Sequence, residues 1–560
     1  MSKISFSPEK KDRKKKIRSI LQGIFLILIL IITIKALFSF TKYDRFSDET
    51  LSSTEETGFI ALSYFGVDRD GNNTLISTKN LEAQLEALKN NGYVTIEQQD
   101  ILDYYTKGKK LPSKSLFLLF EDGRRDTAIF AQKIMEKLNF KGTILTYAGN
   151  LISDDPKFLD GEDLLDLAKS TFWELGTNGY RLSYINVFNK ESQYLGELDS
   201  LEFSKISNTI DREYNHYLMD YIRDEYGVPK ETYEEMNNRI DYDYEEMCRI
   251  YESEIYKIPS LYALMHANTG KFGTNDKVSS INEKWINELF NINFNREGFS
   301  LNNKESSIYD LTRIQPQSYW STNHLLMRIW DDTKSNMSFI VGDEKKAFNF
   351  EKISGEAEFV NDKIILTSMP KGRGALKLKT DSKYKNVTVS TILKGNIIGS
   401  QGIHLRANDN QSKGIYIQLQ NNYINIFDDN DKIYSFNLSE FEENKDKEKF
   451  DIKDRRDRLL DVKLYDNKIT VVIDDKIVVE ELEVKNDDEG DIFLESAWGE
   501  YGYSQRNLAD DVYDGIFEGL KVMDEKDNVI FDSSLTGIEL LYYNINKTFN
   551  SILNWFIKHL

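Results

Sequence analysis

The chain has 560 residues and 92 acidic against 72 basic side chains; its net charge of −20 excludes a protein that grips nucleic-acid phosphates through a basic face. A single cysteine, Cys248, excludes a disulfide framework and multi-cysteine metal sites, and the scattered histidines (His216, His266, His324, His404, His559) disfavour a metal centre of paired His. With 40% hydrophobic and 12% aromatic residues, this length suits about two to four folded domains.

Residues 1–19 carry eight basic and two acidic side chains, +6, so the remainder carries −26. The apolar run Ile20–Phe40 follows directly. As a helix it spans roughly the 30 Å of a bilayer's hydrocarbon core, with Lys35 near one end where its stem can snorkel. Basic flanks stay cytoplasmic, which predicts a single-pass cell-membrane anchor at 20–40 with the bulk of the chain extracellular. The segment Ala36–Phe40 offers no small-x-small cleavage site. A surface protein without disulfides fits a bacterium.

Residues 41–57 read as a polar stalk, and β/α alternation then begins. Phe59–Tyr64 is a strand. Ser77 caps a helix carrying Leu81, Leu85 and Leu88, and Gly92 ends it. Tyr93–Ile96 is a short strand and Asp100–Tyr105 a helix. Leu116–Phe120 is an apolar strand suited to burial on both faces. Asp126–Leu138 is a helix, Gly142–Tyr147 a strand, Glu162–Lys169 a helix and Trp173–Thr177 a strand. This alternation predicts an α/β domain over 58–335, with a parallel sheet or barrel. Residues 194–257, charged and Tyr-rich, read as a helical insertion, either solvated or a partner-binding arm. Residues 338–524 alternate apolar and polar positions between Asn/Asp/Gly turns, predicting an antiparallel β-sandwich. In 536–560, Ile538, Leu541, Ile545, Phe549, Ile552 and Phe556 form the apolar stripe of an amphipathic C-terminal helix. With Trp555, Lys558 and His559, that helix suits a membrane surface, a partner's groove or the chain's own domains.

Four segments resemble the polysaccharide deacetylase family, the chitin-deacetylase-like carbohydrate esterases. They are Leu118–Asp126 (LLFEDGRRD), Ala61–Gly66 with the helix NLEAQLEALKNNGY, Trp173–Tyr180 (WELGTNGY), and Ser307–Trp320 (SIYDLTRIQPQSYW). The resemblance implies a distorted (β/α) barrel. It places Glu121 at the general-base position and Asp122 at the metal-Asp position. Asn178 stands where the first metal His is expected, and Leu182 or Ser183 where the second is expected. The third family motif is approximated by Leu264–Gly270, which includes His266. The late general-acid His has no counterpart beyond His324. An Asp and an Asn do not hold zinc, so the resemblance implies a catalytically degenerate domain with no cofactor, a divalent metal entering only if the site is rebuilt. The expected catalytic-position residues are Glu121 and Asp122. Asn178, Tyr180, Arg125, Trp173 and His266 are expected to contact substrate, and Tyr64, Phe65 and Trp320 are further stacking candidates. The sandwich resembles concanavalin-like/laminin-G-like modules, with jelly-roll architecture and a strand pair around Asp474–Asp475. Its acidic loop at Asp428–Asp429 is either a calcium site or a solvated charge cluster. Together these features predict an accessory protein of bacterial exopolysaccharide or cell-wall glycan synthesis or export. Polysaccharide and a membrane glycosyltransferase or synthase complex are the expected partners. The alternative is an active polysaccharide deacetylase, or a glycoside hydrolase pairing Glu121 with Asp122 or Glu174.

Overall fold

The structure is a computed structural model, and it describes residues 8–37, 41–47, 51, 58–207, 209–211, 214–264, 275–441, 455–499 and 510–559. The chain divides into two compact units, Met1–Asp44 and Arg45–Leu560. The first unit contains one continuous helix, α1 (Pro8–Leu37). Among the described residues no helix is long and apolar enough to cross a membrane. The expected anchor, 20–40, falls partly outside them: its backbone beyond Leu37 and its side chains from Ile29 onward.

The second unit begins with a mainly parallel sheet, with Leu301–Asn302 added antiparallel beside its first strand. Its strands in chain order are β1 (Phe59–Tyr64), β2 (Ser115–Phe120), β3 (Gly142–Tyr147), β4 (Trp173–Gly179), β5 (Leu261–Ala263), β6 (Ile292–Glu297) and β7 (Leu311–Arg313). Each pairs in parallel with the next. The sheet curls until Leu62 bridges Ile314, giving a nearly closed barrel. Alternate side chains point inward with the period of two that a strand imposes. Phe59 and Ala61, Phe117 and Leu119, Leu145, Leu261 and Ala263, Ile292 and Phe294, and Leu311 fill the interior. Phe117 and Phe294 stack across it with ring centroids 5.6 Å apart.

The barrel's outer layer includes α2 (Thr78–Asn90), α3 (Gln98–Lys107), α4 (Arg125–Leu138), α5 (Gly161–Lys169), α6 (Tyr233–Ile255), α7 (Asp276–Leu289) and α8 (Thr322–Thr333). Ser77 caps α2 by accepting the Asn80 N–H, as its position predicts. The strand expected at Tyr93–Ile96 is reduced to Val94–Thr95, paired with the start of β2.

The 194–257 stretch is not all helix. Ser183–Phe188, Tyr194–Asp199 and Asn215–His216 form a small antiparallel sheet, and α6 follows it. Nor is α6 a solvated arm. Thr232 and Glu235 form its capping box, and it buries Met236, Ile240, Tyr244, Met247, Ile250 and Tyr251. The Tyr251 hydroxyl bonds Thr146 O at 2.7 Å and Thr177 Oγ1 at 2.9 Å, pinning the helix to the ends of β3 and β4.

Two antiparallel sheets follow. In spatial order, one contains Phe350–Ser354, Arg373–Leu378, Asp491–Ala497, Ser400–Ala407, Ile415–Gln420, Tyr423–Asp428 and Asp431–Asn437. The other contains Glu356–Val360, Lys363–Thr367, Asp514–Asp524, Val387–Leu393, Arg458–Tyr465, Lys468–Ile473 and Lys476–Glu483, with Val529–Asp532 added beside Asp514–Asp524. Ile403, Ile417, Leu494 and Ile426 from one sheet share a core with Val389, Val462, Val471 and Phe517 from the other. Asp474 and Asp475 both have positive φ, 51° and 61°, the conformation of a type I′ hairpin turn. Asp428 and Asp429 are turn anchors rather than a cation cluster. Asp428 accepts the N–H groups of Lys485 and Asn486, and Asp429 accepts the Gly414 N–H and the Asn486 amide. On the outer face of the first sheet, Glu495 is almost fully buried. Its Oε1 accepts from Tyr416 at 3.0 Å, and its Oε2 contacts Arg373 at 3.0 Å and His404 at 3.3 Å.

The barrel and sandwich meet through α8. His324 lies between Asp510 (2.9 Å) and Asp514 (3.1 Å), and Arg328 also pairs with Asp510 at 2.7 Å. Trp320 stacks on the imidazole at 4.5 Å. Burial pushes the His324 pKa down, but the two carboxylates outweigh that and raise it to about 9. The C-terminal helix, α9 (Gly537–His559), leaves Ile538, Leu541, Ile545, Phe549 and Ile552 exposed; the side chains of Trp555, Phe556, Lys558 and His559 lie outside the described residues.

Candidate functional site

Parallel barrels present their chemistry where the strands end, because the loops there are free to vary. The inward rows continue past the apolar interior as polar side chains. Beyond Phe59 and Ala61 comes Ser63, beyond Phe117 and Leu119 comes Glu121, beyond Leu145 comes Tyr147, and beyond Leu311 comes Arg313.

Glu121 is wholly buried, as is Arg313. Its Oε1 accepts from Ser63 Oγ, from Arg313 Nε at 2.8 Å and from Gln315 Nε2 at 3.0 Å. Arg313 also reaches Glu297 at 3.2 Å. Burial alone pushes the Glu121 carboxyl up, but the Arg313 charge and these hydrogen bonds prevail and hold it below the usual carboxylate range. Glu121 is therefore a locked anion. Its other oxygen, Oε2, has no hydrogen-bond partner.

Asp122 turns the chain out of β2 with φ +65°, and Gly123 continues at +61°. The glycine is required: a Cβ there would lie 2.5 Å from Thr146 Cγ2. Desolvation, then the adjacent Glu121 charge, raise the Asp122 carboxyl to about 7. Its Oδ1 is buried without a partner, and so is the Tyr147 hydroxyl. The Tyr147 hydroxyl is pushed well above its ordinary pKa, first by burial and then by the charge of Asp122.

Asn178 is brought to the same place. Its Nδ2 donates to Ala263 O at 2.9 Å, and its Oδ1 accepts the Asp122 N–H at 3.4 Å. It thus ties β4 to β5 and to the Glu-Asp-Gly turn. Leu182 packs with Tyr184 in a separate apolar cluster, and Ser183 starts a strand of the small sheet. Among the described residues, no three His, Cys, Asp or Glu side chains converge as a metal site. The metal implied by the resemblance does not fit the residues described here.

The remaining expected contacts scatter. Arg125 pairs with Asp163 at 2.7 Å and Asp160 at 3.3 Å, joining α4 to α5. Trp173, Tyr64 and Trp320 are buried rather than available for stacking. Trp173 donates its indole N–H to Gln132 and sits edge-on to Phe120. Tyr180 and Phe65 are half-buried. His266 lies outside the described residues. Glu174 is near the start of β4, accepting the Gln98 N–H at 3.0 Å, away from the strand ends that carry Glu121. Desolvation raises its carboxyl to about 7.

Ser63, Tyr147, Arg313 and Gln315 belong to the site and were not singled out from sequence. The available signal was Arg313 and Gln315 spaced two apart in Leu311–Gln317, polar on the face that Leu311 turns inward.

No protein-family model matches this chain, and no curated protein matches it. Among solved structures, the chain is similar to a de-N-acetylase from Aggregatibacter actinomycetemcomitans, at 15% identity over 47% of this chain and 96% of that one, with TM-score 0.36. It is similar to the BpsB deacetylase domain from Bordetella bronchiseptica, at 13% identity over 47% and 97%, with TM-score 0.36. It is also similar to the carbohydrate-binding module CBM66 from Bacillus subtilis, at 11% identity over 31% and 94%, with TM-score 0.23.

Proposed function

We propose that this protein is a membrane-anchored, extracellular accessory factor of bacterial exopolysaccharide or cell-wall glycan synthesis, whose barrel binds glycan without cleaving it. The observation that carries this reading is the Glu121–Arg313 pair. A general base must be free to accept a proton, and Glu121 is held as an anion by Arg313, Ser63 and Gln315. Asn178 spends its amide on Ala263 O, which supports a structural use of the position where a metal ligand is expected. The +6 tail followed by Ile20–Phe40 supports the anchor and its orientation. The sandwich supplies a second surface for polysaccharide, and a membrane glycosyltransferase is the partner that fits this placement.

One observation favours a second reading, a carbohydrate-active hydrolase. Asp122, raised to about 7, has the proton affinity of an acid–base catalyst. Acetate release from acetylated chito-oligosaccharides by the full chain, with bound zinc measured in parallel, separates the two. The accessory reading expects neither acetate nor stoichiometric zinc. Turnover abolished by Glu121→Gln would overturn it.

A further inference from the structure

Three polar atoms at the barrel mouth lack hydrogen-bond partners although they are buried: Glu121 Oε2, Asp122 Oδ1 and Tyr147 Oη. They belong to one neighbourhood: Glu121 and Asp122 are consecutive at the end of β2, and Gly123, which follows them, packs against Thr146, the residue before Tyr147 at the end of β3. Leaving such groups unpaired is unfavourable, so a site that keeps three of them is suited to something that supplies the missing bonds. Two are carboxylate oxygens and the third is a phenol oxygen able to accept. The missing partner is therefore rich in hydrogen-bond donors, with a neighbouring oxygen to accept the phenol O–H, as an amine beside a sugar hydroxyl provides.

Charge narrows the choice. Arg313 is shared between Glu121 and Glu297, which leaves these three groups with one negative charge, and ionised Asp122 adds another. Arg124, the other nearby cation, is engaged by Asp126 at 2.7 Å. A primary ammonium carries three donors, no acceptor and a positive charge. A sugar hydroxyl donates only one bond, and an acetamide oxygen would face acceptors with another acceptor.

We infer that the barrel mouth takes the free ammonium of an amino sugar, with Glu121 Oε2, Asp122 Oδ1 and Tyr147 Oη as its acceptors. This rests on the glycan-binding reading above and names the ligand class of that site. Asp122, the half-buried member, is the one an incoming ligand meets first.

The test is calorimetry on the full chain with a β-linked glucosamine tetramer and its fully N-acetylated counterpart. The glucosamine oligomer should bind about tenfold or more tightly than the acetylated one, as expected for charge-assisted bonds. Asp122→Asn should erase that preference and Tyr147→Phe should reduce it. Asparagine tolerates the positive φ at position 122, so the variant should fold, and an unchanged melting curve verifies this. Equal or tighter binding of the acetylated oligomer, or a preference that survives Asp122→Asn, overturns the ammonium inference and leaves glycan binding standing; it would mean the orphaned atoms hold internal water only. Failure of both oligomers to bind overturns the inference together with the binding reading.

Discussion

Glu121 in the barrel and Glu495 on the sandwich face the same physical problem, a carboxylate taken out of water beside an arginine. The sandwich solves it completely. Both oxygens of Glu495 are occupied, by Tyr416 on one side and by Arg373 and His404 on the other, and His404 stacks flat on Tyr416 with centroids 3.9 Å apart. The barrel solves half of it. Three donors crowd Glu121 Oε1 while Oε2, Asp122 Oδ1 and Tyr147 Oη stay unpaired. A satisfied network is architecture, whereas the incomplete one at these strand ends is where the proposed ligand would complete the missing bonds.

The comparison breaks most visibly at Arg313. Arg313→Met strands the Glu121 charge in the interior and should cost about 3–5 kcal/mol of stability. Denaturant unfolding followed by tryptophan fluorescence measures it, and the double variant Glu121→Gln with Arg313→Met should recover much of the loss. An Arg313→Met protein as stable as the parent would mean that this ion pair does not hold the mouth.

Next in size is the His324 junction, where each ring nitrogen lies close to a carboxylate oxygen, at 2.9 Å from Asp510 and 3.1 Å from Asp514. Its pKa rises from 6.5 to about 9 on folding, so the folded state binds the proton more tightly. The contribution is fully present below pH 6.5 and is lost as pH rises through about 9, a change of up to about 3 kcal/mol. Melting temperature recorded from pH 6 to 10 should therefore fall across the upper part of this range, and His324→Gln should flatten that part of the curve. A parallel decline in both proteins would assign it to other groups.

The smallest expected effect sharpens the contrast from the sandwich side. Arg373 is about half exposed, so water screens its share of the Glu495 pair. Glu495→Gln should cost only about 1–2 kcal/mol and leave the glucosamine preference of the barrel untouched. A loss of that preference would place the ammonium site on the sheet instead.

Much of the barrel was legible because its strands are apolar on both faces. LFLLF at Leu116–Phe120 admits few other readings, and the inward period then carries the eye to Glu121. The small sheet was hidden by its own irregularity. The pairing of Ser183–Phe188 with Tyr194–Asp199 shifts register twice, and Asn186 and Gly196 have positive φ, so no clean alternation survives in the sequence. Helix α6 read as solvated because its buried Met and Ile positions are interleaved with charged residues and with tyrosines, two of which turn inward and find partners there: Tyr244 with Asn282, and Tyr251 with Thr146 and Thr177. Arg313 was invisible for a simpler reason. Its value lies in a partner 192 positions away, and no local pattern encodes that distance.

The α8 junction makes the two halves unequal heirs to one set of charges. Ser321 caps α8 through the His324 N–H, while its own N–H is given to Asp514, which also accepts from Thr367. Barrel and sandwich thus share the first turn of a single helix. Produced without the sandwich, the barrel would present the cations of His324 and Arg328 to solvent. Produced without the barrel, the sandwich would keep Asp510 and Asp514 side by side with nothing to neutralise them. The boundary between the domains is a place where the chain can be drawn as two pieces but not cut into two.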